Sequence, residues 1–218
     1  LLEYDDVMNQ QREVIYSLRS FALEGGEELK GEARKMIEKA VAHRVETALA
    51  EYESAEQWDY GVLQQDLLMH YLLQVPELAE DATQPTTIAE AQRVTIEAGH
   101  KAFESKLQSL VLHDDQGNVL QQYGDQLLAL VMLNVLDEKW KDHLYDLDQL
   151  RAAIHYRSWG QKDPLIEYKQ EAYTMFVDLM NDIHNTFTER FLRVQLVFDQ
   201  GGRDGGFDRG GDGGSPPR

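Results

Sequence analysis

The chain has 218 residues, no cysteine, and 21 Lys and Arg against 39 Asp and Glu, for a net charge of −18. Lack of cysteine excludes disulfides, thiolate metal sites and cysteine nucleophiles, and the acidity argues against nonspecific binding to nucleic acid or to anionic lipid by this portion alone. No apolar run approaches the roughly 18 residues needed to cross a bilayer, and the length suffices for a sizeable core in one or two domains.

The opening segment carries Leu1, Tyr4, Met8, Ile15 and Leu18 on one helical face and stops at Gly25-Gly26, where the chain can turn. It begins inside a helical pattern with no initiator Met, cap residue or signal-peptide layout, so it reads as a piece of a longer chain. A second helix from about Glu27 to Tyr52 presents Leu29, Ala33, Ile37, Val41, Val45, Ala48 and Leu49 at helical spacing. A third runs from about Asp59 to Gln74 with Leu63, Leu67 and Tyr71, and ends before Pro76, because the residue before proline is pushed out of the helical region. Thr87 and Glu90 form a capping-box pattern that opens a helix reaching about Leu110. Asp114-Asp115-Gln116-Gly117-Asn118 is a turn between Val111-Leu112 and Val119-Leu120; a small hairpin and a helix broken by a loop both fit it.

The C-terminal part is the most informative. Leu133, Leu136, Trp140, Leu144, Leu147, Leu150 and Ile154 mark one helical stripe, and Tyr168, Ala172, Met175, Leu179, Ile183, Phe187, Phe191 and Val194 mark another. The polar segment Arg157 to Pro164 joins them. Asp163 is a good N-cap, and Pro164 suits the first helical position. The two arms make an antiparallel hairpin on the order of 30 to 45 Å long at about 1.5 Å per residue. Tyr156, Arg157, Ser158, Trp159, Gln161 and Lys162 lie at its tip. An indole left in water forgoes burial worth roughly 1.5 to 3 kcal/mol; either a partner covers Trp159 or it folds back on its own hairpin or a neighbouring helix. Trp140, Leu144, Met175 and Phe176 are assigned to the hairpin core. Residues 199–218, rich in Gly and ending Ser215-Pro216-Pro217-Arg218, have the composition of a disordered tail. The fold class is all-α.

Catalytic signatures are missing. Glu97-x-x-His100 has the spacing used in carboxylate-bridged di-iron bundles, but such sites need two copies and two further glutamates, and one copy is present. The remaining histidines form no HExxH pair, and no GxxxxGK[ST] loop occurs. The acids Glu3, Asp5 and Asp6, and Asp137, Glu138, Asp142, Asp146 and Asp148, read as polar helix faces. No catalytic or metal residue is assigned. A freestanding helical adaptor would bind its partner through the apolar stripes without any nucleotide-binding chain, and a di-iron enzyme would carry metal when purified.

Four runs carry a family resemblance: Leu1-Leu2-Glu3-Tyr4-Asp5-Asp6-Val7-Met8-Asn9-Gln10-Gln11-Arg12; Leu136-Asp137-Glu138-Lys139-Trp140-Lys141-Asp142-His143-Leu144; Leu150-Arg151-Ala152-Ala153-Ile154-His155; and Gln161-Lys162-Asp163-Pro164 with Glu167-Tyr168-Lys169. In this order they resemble the C-terminal part of SecA, the ATP-driven motor of bacterial preprotein export. The resemblance covers residues 1–21 and about 125–198; the stretch between is similar only in length and helical character.

It implies the end of a long scaffold helix at 1–21, a helical wing domain at 22–122, a two-helix finger with the scaffold's return at 123–198, and a linker or tail at 199–218. It also implies that ATP and Mg sit in motor domains that this chain lacks, so the chain needs no cofactor of its own. The implied partners are the SecYEG channel, an unfolded preprotein and those motor domains, on the cytoplasmic face of the plasma membrane; a homodimer is an allowed assembly. The tip residues would contact the translocating polypeptide, with Trp159 standing where the family often has Tyr. Tyr4, Asp5, Asp6, Asn9 and Arg12 would face the motor. The cysteine-rich zinc module that follows a similar linker in many SecA proteins has no counterpart here, so zinc and chaperone binding are not carried over.

Overall fold

A computed structural model describes residues 2–157, 160 and 163–196. Ser158, Trp159, Gln161 and Lys162 of the expected tip, and the tail expected at 199–218, lie outside the described residues. The order of elements is α1 (Leu2–Glu24), α2 (Gly26–Leu49), α3 (Tyr60–Tyr71), α4 (Ile88–Ser109), β1 (Val111–His113), β2 (Val119–Gln122), α5 (Gly124–Arg157) and α6 (Pro164–Arg193), with short 3-10 turns at Ala55–Gln57 and Pro76–Leu78. The all-α expectation holds, with one two-stranded hairpin added.

Local chemistry sets most boundaries. Gly25 and Gly26, at φ 72° and 69°, make the α1–α2 corner in backbone that side-chain-bearing residues rarely adopt. Asp59 caps α3 by accepting from the Val62 N–H at 3.0 Å, and Asp163 caps α6 by accepting from the Leu165 N–H at 2.9 Å. At α4 the box is half made. Thr87 Oγ1 accepts from the Glu90 N–H, while the Glu90 carboxylate turns to Arg93.

Helix α3 stops at Tyr71 rather than Gln74. Leu72 takes the left-handed conformation at φ 53°, and the Leu72 and Leu73 N–H groups close back on the Leu68 and Leu67 carbonyls, the paired bonds of a Schellman motif. A leucine in the position that usually takes glycine hides this stop from the sequence.

The segment at 111–122 is a β-hairpin. Asp114 organises its turn: one carboxylate oxygen accepts from the Gln116 and Asn118 N–H groups, and the other from the Asn118 side-chain amide. Those bonds, the side-chain amide first, hold the Asp114 carboxyl below its ordinary pKa. Gly117 supplies the positive φ, 84°.

Helix α5 begins at Gly124, nine residues before the stripe predicted from Leu133. Leu127, Leu128, Val131, Met132 and Val135 are all buried, because α1, α2 and α6 pack around this end. A helix buried on several sides loses the one-sided pattern by which it would be recognised. At about 1.5 Å per residue, the 34 residues of α5 and 30 of α6 make arms of roughly 50 and 45 Å.

One continuous core joins the inner ends of α1, α5 and α6 to α2, α3 and α4, with Ile37, Val41, Phe103, Phe187 and Phe191 fully buried. A second, smaller core lies further along the hairpin: Leu147, Leu150, Ile154, Tyr168 and Ala172, covered by Tyr4, Val7, Met8 and Met175. The hairpin therefore does not close on itself, because α1 supplies the third side of its outer core. Trp140 closes the larger core at 7% exposure, with Leu144 and Phe176 half-buried against it. Trp140→Ala should cost about 3–5 kcal/mol in urea unfolding; an unchanged midpoint would remove Trp140 from the core.

Candidate functional site

Helix α1 is fixed to the hairpin at three levels. Nearest the tip, the Arg151 guanidinium reaches Asp5 at 3.1 Å and lies over the Tyr4 ring at 5.4 Å. That ring packs on Tyr168 with centroids 4.8 Å apart. Midway, the Gln11 amide donates to the Ala172 carbonyl at 3.0 Å and its oxygen meets His143 Nε2 at 2.7 Å. Near the base, Arg19 pairs with Asp137. Positions 4–5, 11 and 19 ascend on α1 while 151, 143 and 137 descend on α5, so α1 runs antiparallel to α5 and is braced over about 22 Å.

The middle brace is buried, with Gln11 at 7% and His143 at 5% exposure. Its proton arrangement follows from valence. Because the Gln11 amide nitrogen donates to Ala172, the facing oxygen can only accept, and His143 Nε2 must carry the hydrogen. The ring sits between Trp140 and Phe176, at 5.5 and 6.0 Å. Burial lowers the His143 pKa, partly opposed by Asp146, so the neutral Nε2–H form is the one favoured.

Both residues carried a signal. Gln11 completes the series Met8, Gln11, Ile15, Leu18, Ala22, and His143 completes Leu136, Trp140, His143, Leu147, Leu150, Ile154. A polar residue on an otherwise apolar stripe must find a buried partner, and here the two find each other. The stripe passes through His143 rather than Leu144, which is half-buried.

Other pairs join the two arms: Arg190 to both Glu138 oxygens at 2.7 and 3.1 Å, Lys139 to Asp182 at 2.9 Å, and Arg157 to Glu171 at 2.5 Å. Exposed pairs of this kind are each worth about 0–1 kcal/mol, so they align the arms more than they hold them. Around the tip, Tyr156 on α5 is 83% exposed, and Ile166 on α6 is open as well.

Of the residues expected to face a motor, Tyr4 and Asp5 are engaged with the hairpin. Asp6 and Asn9 are exposed and Arg12 half-exposed, with Arg12 bonded to Asn9 at 3.1 Å. Asp6 borders an open groove of about 550 Å³ with Val7, Val14, Lys169, Tyr173 and Phe176. Glu97 pairs with Lys101 and Arg93, and His100 lies 3.8 Å from Glu38. Among the described residues no three His, Asp or Glu converge as metal ligands, and no helix is long and apolar enough to cross a membrane.

The SecA wing and scaffold domain model matches residues 1–195. The chain belongs to the SecA family. Named protein translocase subunit SecA, a relative from Pelobacter propionicus is 36% identical over 90% of this chain and 21% of its own length. Relatives of the same name from Geobacter sp. strain M21 and Pelotomaculum thermopropionicum are 37% and 36% identical over 90% and 92% of this chain, and 19% and 21% of their own lengths. The chain thus spans about a fifth of the length of the SecA relatives it matches. The family match also runs through residues 22–124, where the sequence alone resembled SecA only in length and helical character.

Two measurements check the polar core. In a double-mutant cycle, Gln11→Ala and His143→Ala should each cost about 1–3 kcal/mol and be coupled by roughly 0.5–3 kcal/mol; additive effects would dissolve the pair. Burial foremost, then Lys39 and His43, lowers the His184 pKa from 6.5 to about 4. The unfolded chain therefore takes up this proton near pH 6.5 and the folded one only near pH 4. Stability falls as pH drops through that window, on the order of 3 kcal/mol from this group. Urea unfolding from pH 7 to 4.5 should show a smaller acid loss in His184→Gln than in the parent sequence; equal losses would contradict it.

Proposed function

We propose that this chain is the scaffold-and-finger portion of an ATP-driven motor that pushes unfolded preproteins through the SecYEG channel. The three-level brace between α1 and the hairpin carries the reading, together with membership of the SecA family. A long hairpin tied along one flank to a third helix moves as a body, so displacement at the base reaches the tip. In this reading the chain has no active site of its own, and ATP and Mg are bound in motor domains elsewhere in the protein.

Residues 1–21 serve as the end of the scaffold helix, 22–122 as the wing, 123–198 as the finger with the scaffold's return, and 199–218 as a linker. Tyr156, Arg157, Ser158, Trp159, Gln161 and Lys162 contact the polypeptide at the channel mouth, on the cytoplasmic face of the membrane. An aromatic face suits that task because apolar contact makes no demand on a partner's sequence, and the exposed Tyr156 supports the assignment. Asp6, Asn9 and Arg12 contact the motor, while Tyr4 and Asp5 transmit its movement through Arg151.

This chain has no cysteine, so a direct test needs replacement only of cysteines that lie elsewhere in the protein. A single cysteine at position 159 in the motor-containing protein, with a preprotein stalled in the channel, should crosslink to both preprotein and channel. Crosslinks to neither, with export intact, would reduce the hairpin to scaffold. Arg151→Gln, which leaves the tip residues in place, should slow export about tenfold if the brace loses about 1.4 kcal/mol; unaltered export would show that the lever does not need it.

A further inference from the structure

A cavity of about 540 Å³ opens where α2 and α3 meet α6, within the roughly 300–1,000 Å³ of small-molecule sites. Its polar lining is unevenly satisfied. Asp66 is bound by Arg44 at 2.7 Å and Asp182 by Lys139 at 2.9 Å, so both acids already have cations. Arg44 is fixed further by Asn185 at 2.6 Å and lies over the Tyr71 ring at 4.8 Å, which makes that wall rigid.

The remaining basic groups are uncommitted. Lys39 and His43 stand one turn apart on α2 and are exposed, and among the described residues neither side chain has a hydrogen bond or ion pair. His184 on α6 is 7% exposed and lines the cavity, with no protein partner for its ring among the described residues. Its ring nitrogens stay open to the cavity and are not among the buried atoms left without a partner, so an N–H there can donate to a ligand acceptor. Val62 is 62% exposed and Ala48 is half-buried at the cavity, so an apolar surface lies beside these donors. The low pKa of His184 keeps the ring neutral at physiological pH, with one N–H to donate.

We infer that this cavity binds a small organic anion: its carboxylate, phosphate or sulfonate is held by Lys39, His43 and His184, and its acyl or aryl body lies along Val62 and Ala48. In a chain of net charge −18, the acids of this pocket are paired while, among the described residues, its Lys39 is not, so the local donors rather than the general field set its preference. Because the pocket spans α2, α3 and α6, an occupant ties the helices beside the hairpin base to the hairpin itself.

The test is an NMR titration of the histidine ring signals of the whole chain with decanoate, decanol and inorganic phosphate. Decanoate should shift His43 and His184 saturably, leaving His113 still, and Lys39→Gln, an exposed change that spares the fold, should weaken binding about tenfold. No His184 shift with decanoate, or equal affinity in Lys39→Gln, would overturn the site. Decanol binding as tightly as decanoate would overturn the anion preference, and phosphate saturating the same signals at the same concentration would overturn the role of the apolar body.

Discussion

The buried contact among Gln11, His143 and Ala172 is the constraint on which the rest of this structure depends. Each partner comes from a different long helix, and the Gln11 and His143 side chains make these bonds only when all three are in register. Apolar side chains tolerate sliding by a turn at modest cost. A buried amide and imidazole do not, because a lost hydrogen bond in the interior costs about 1–3 kcal/mol per orphaned group. The pair therefore sets where α1 lies along the hairpin, and the flanking contacts of Tyr4, Asp5 and Arg19 fall into place as consequences.

The same register explains why the hairpin has two cores rather than one. Near its base, α5 and α6 are wrapped by α2, and the packing is continuous into α3 and α4. Further out α2 is gone, and among the described residues α1 covers Leu147, Leu150 and Tyr168. Charge is placed in keeping with this. With 39 acids and 21 Lys and Arg, cations are the scarce species, and Arg19, Arg44, Arg151 and Arg190 all bridge between helices. Surplus carboxylates are left on solvent faces such as Asp142, Asp146 and Asp178, where water screens their repulsion.

Much of this was legible in the sequence, and the failures have physical causes. Asp163-Pro164 and Thr87 announced their helices because capping is local chemistry. The stop of α3 falls earlier than its pattern suggests because Leu72 adopts backbone that leucine seldom takes, and the stripe from Leu133 leaves out the first turns of α5 because a helix buried on several sides has no polar face to alternate with. The β-hairpin could not be separated from a broken helix until the Asp114 bonds were seen. Of the candidate site, the hairpin and Arg157's place beside its tip were readable, whereas the roles of Tyr4 and Asp5 against Arg151 depend on contacts about 150 positions apart. Gln11 and His143 were readable in principle, each being a polar residue on an apolar stripe.

Whether α1 and the hairpin are one body is the claim that the mechanical reading needs most. It is tested most directly by pulsed electron resonance between spin labels on introduced cysteines at Glu13 of α1 and Gln149 of α5, both exposed, in a chain with no cysteine of its own. A single narrow distance distribution is predicted, unchanged when nucleotide is added to the motor-containing protein. A broad or two-peaked distribution, or one that moves with nucleotide, would show that α1 slides or detaches and would contradict the account.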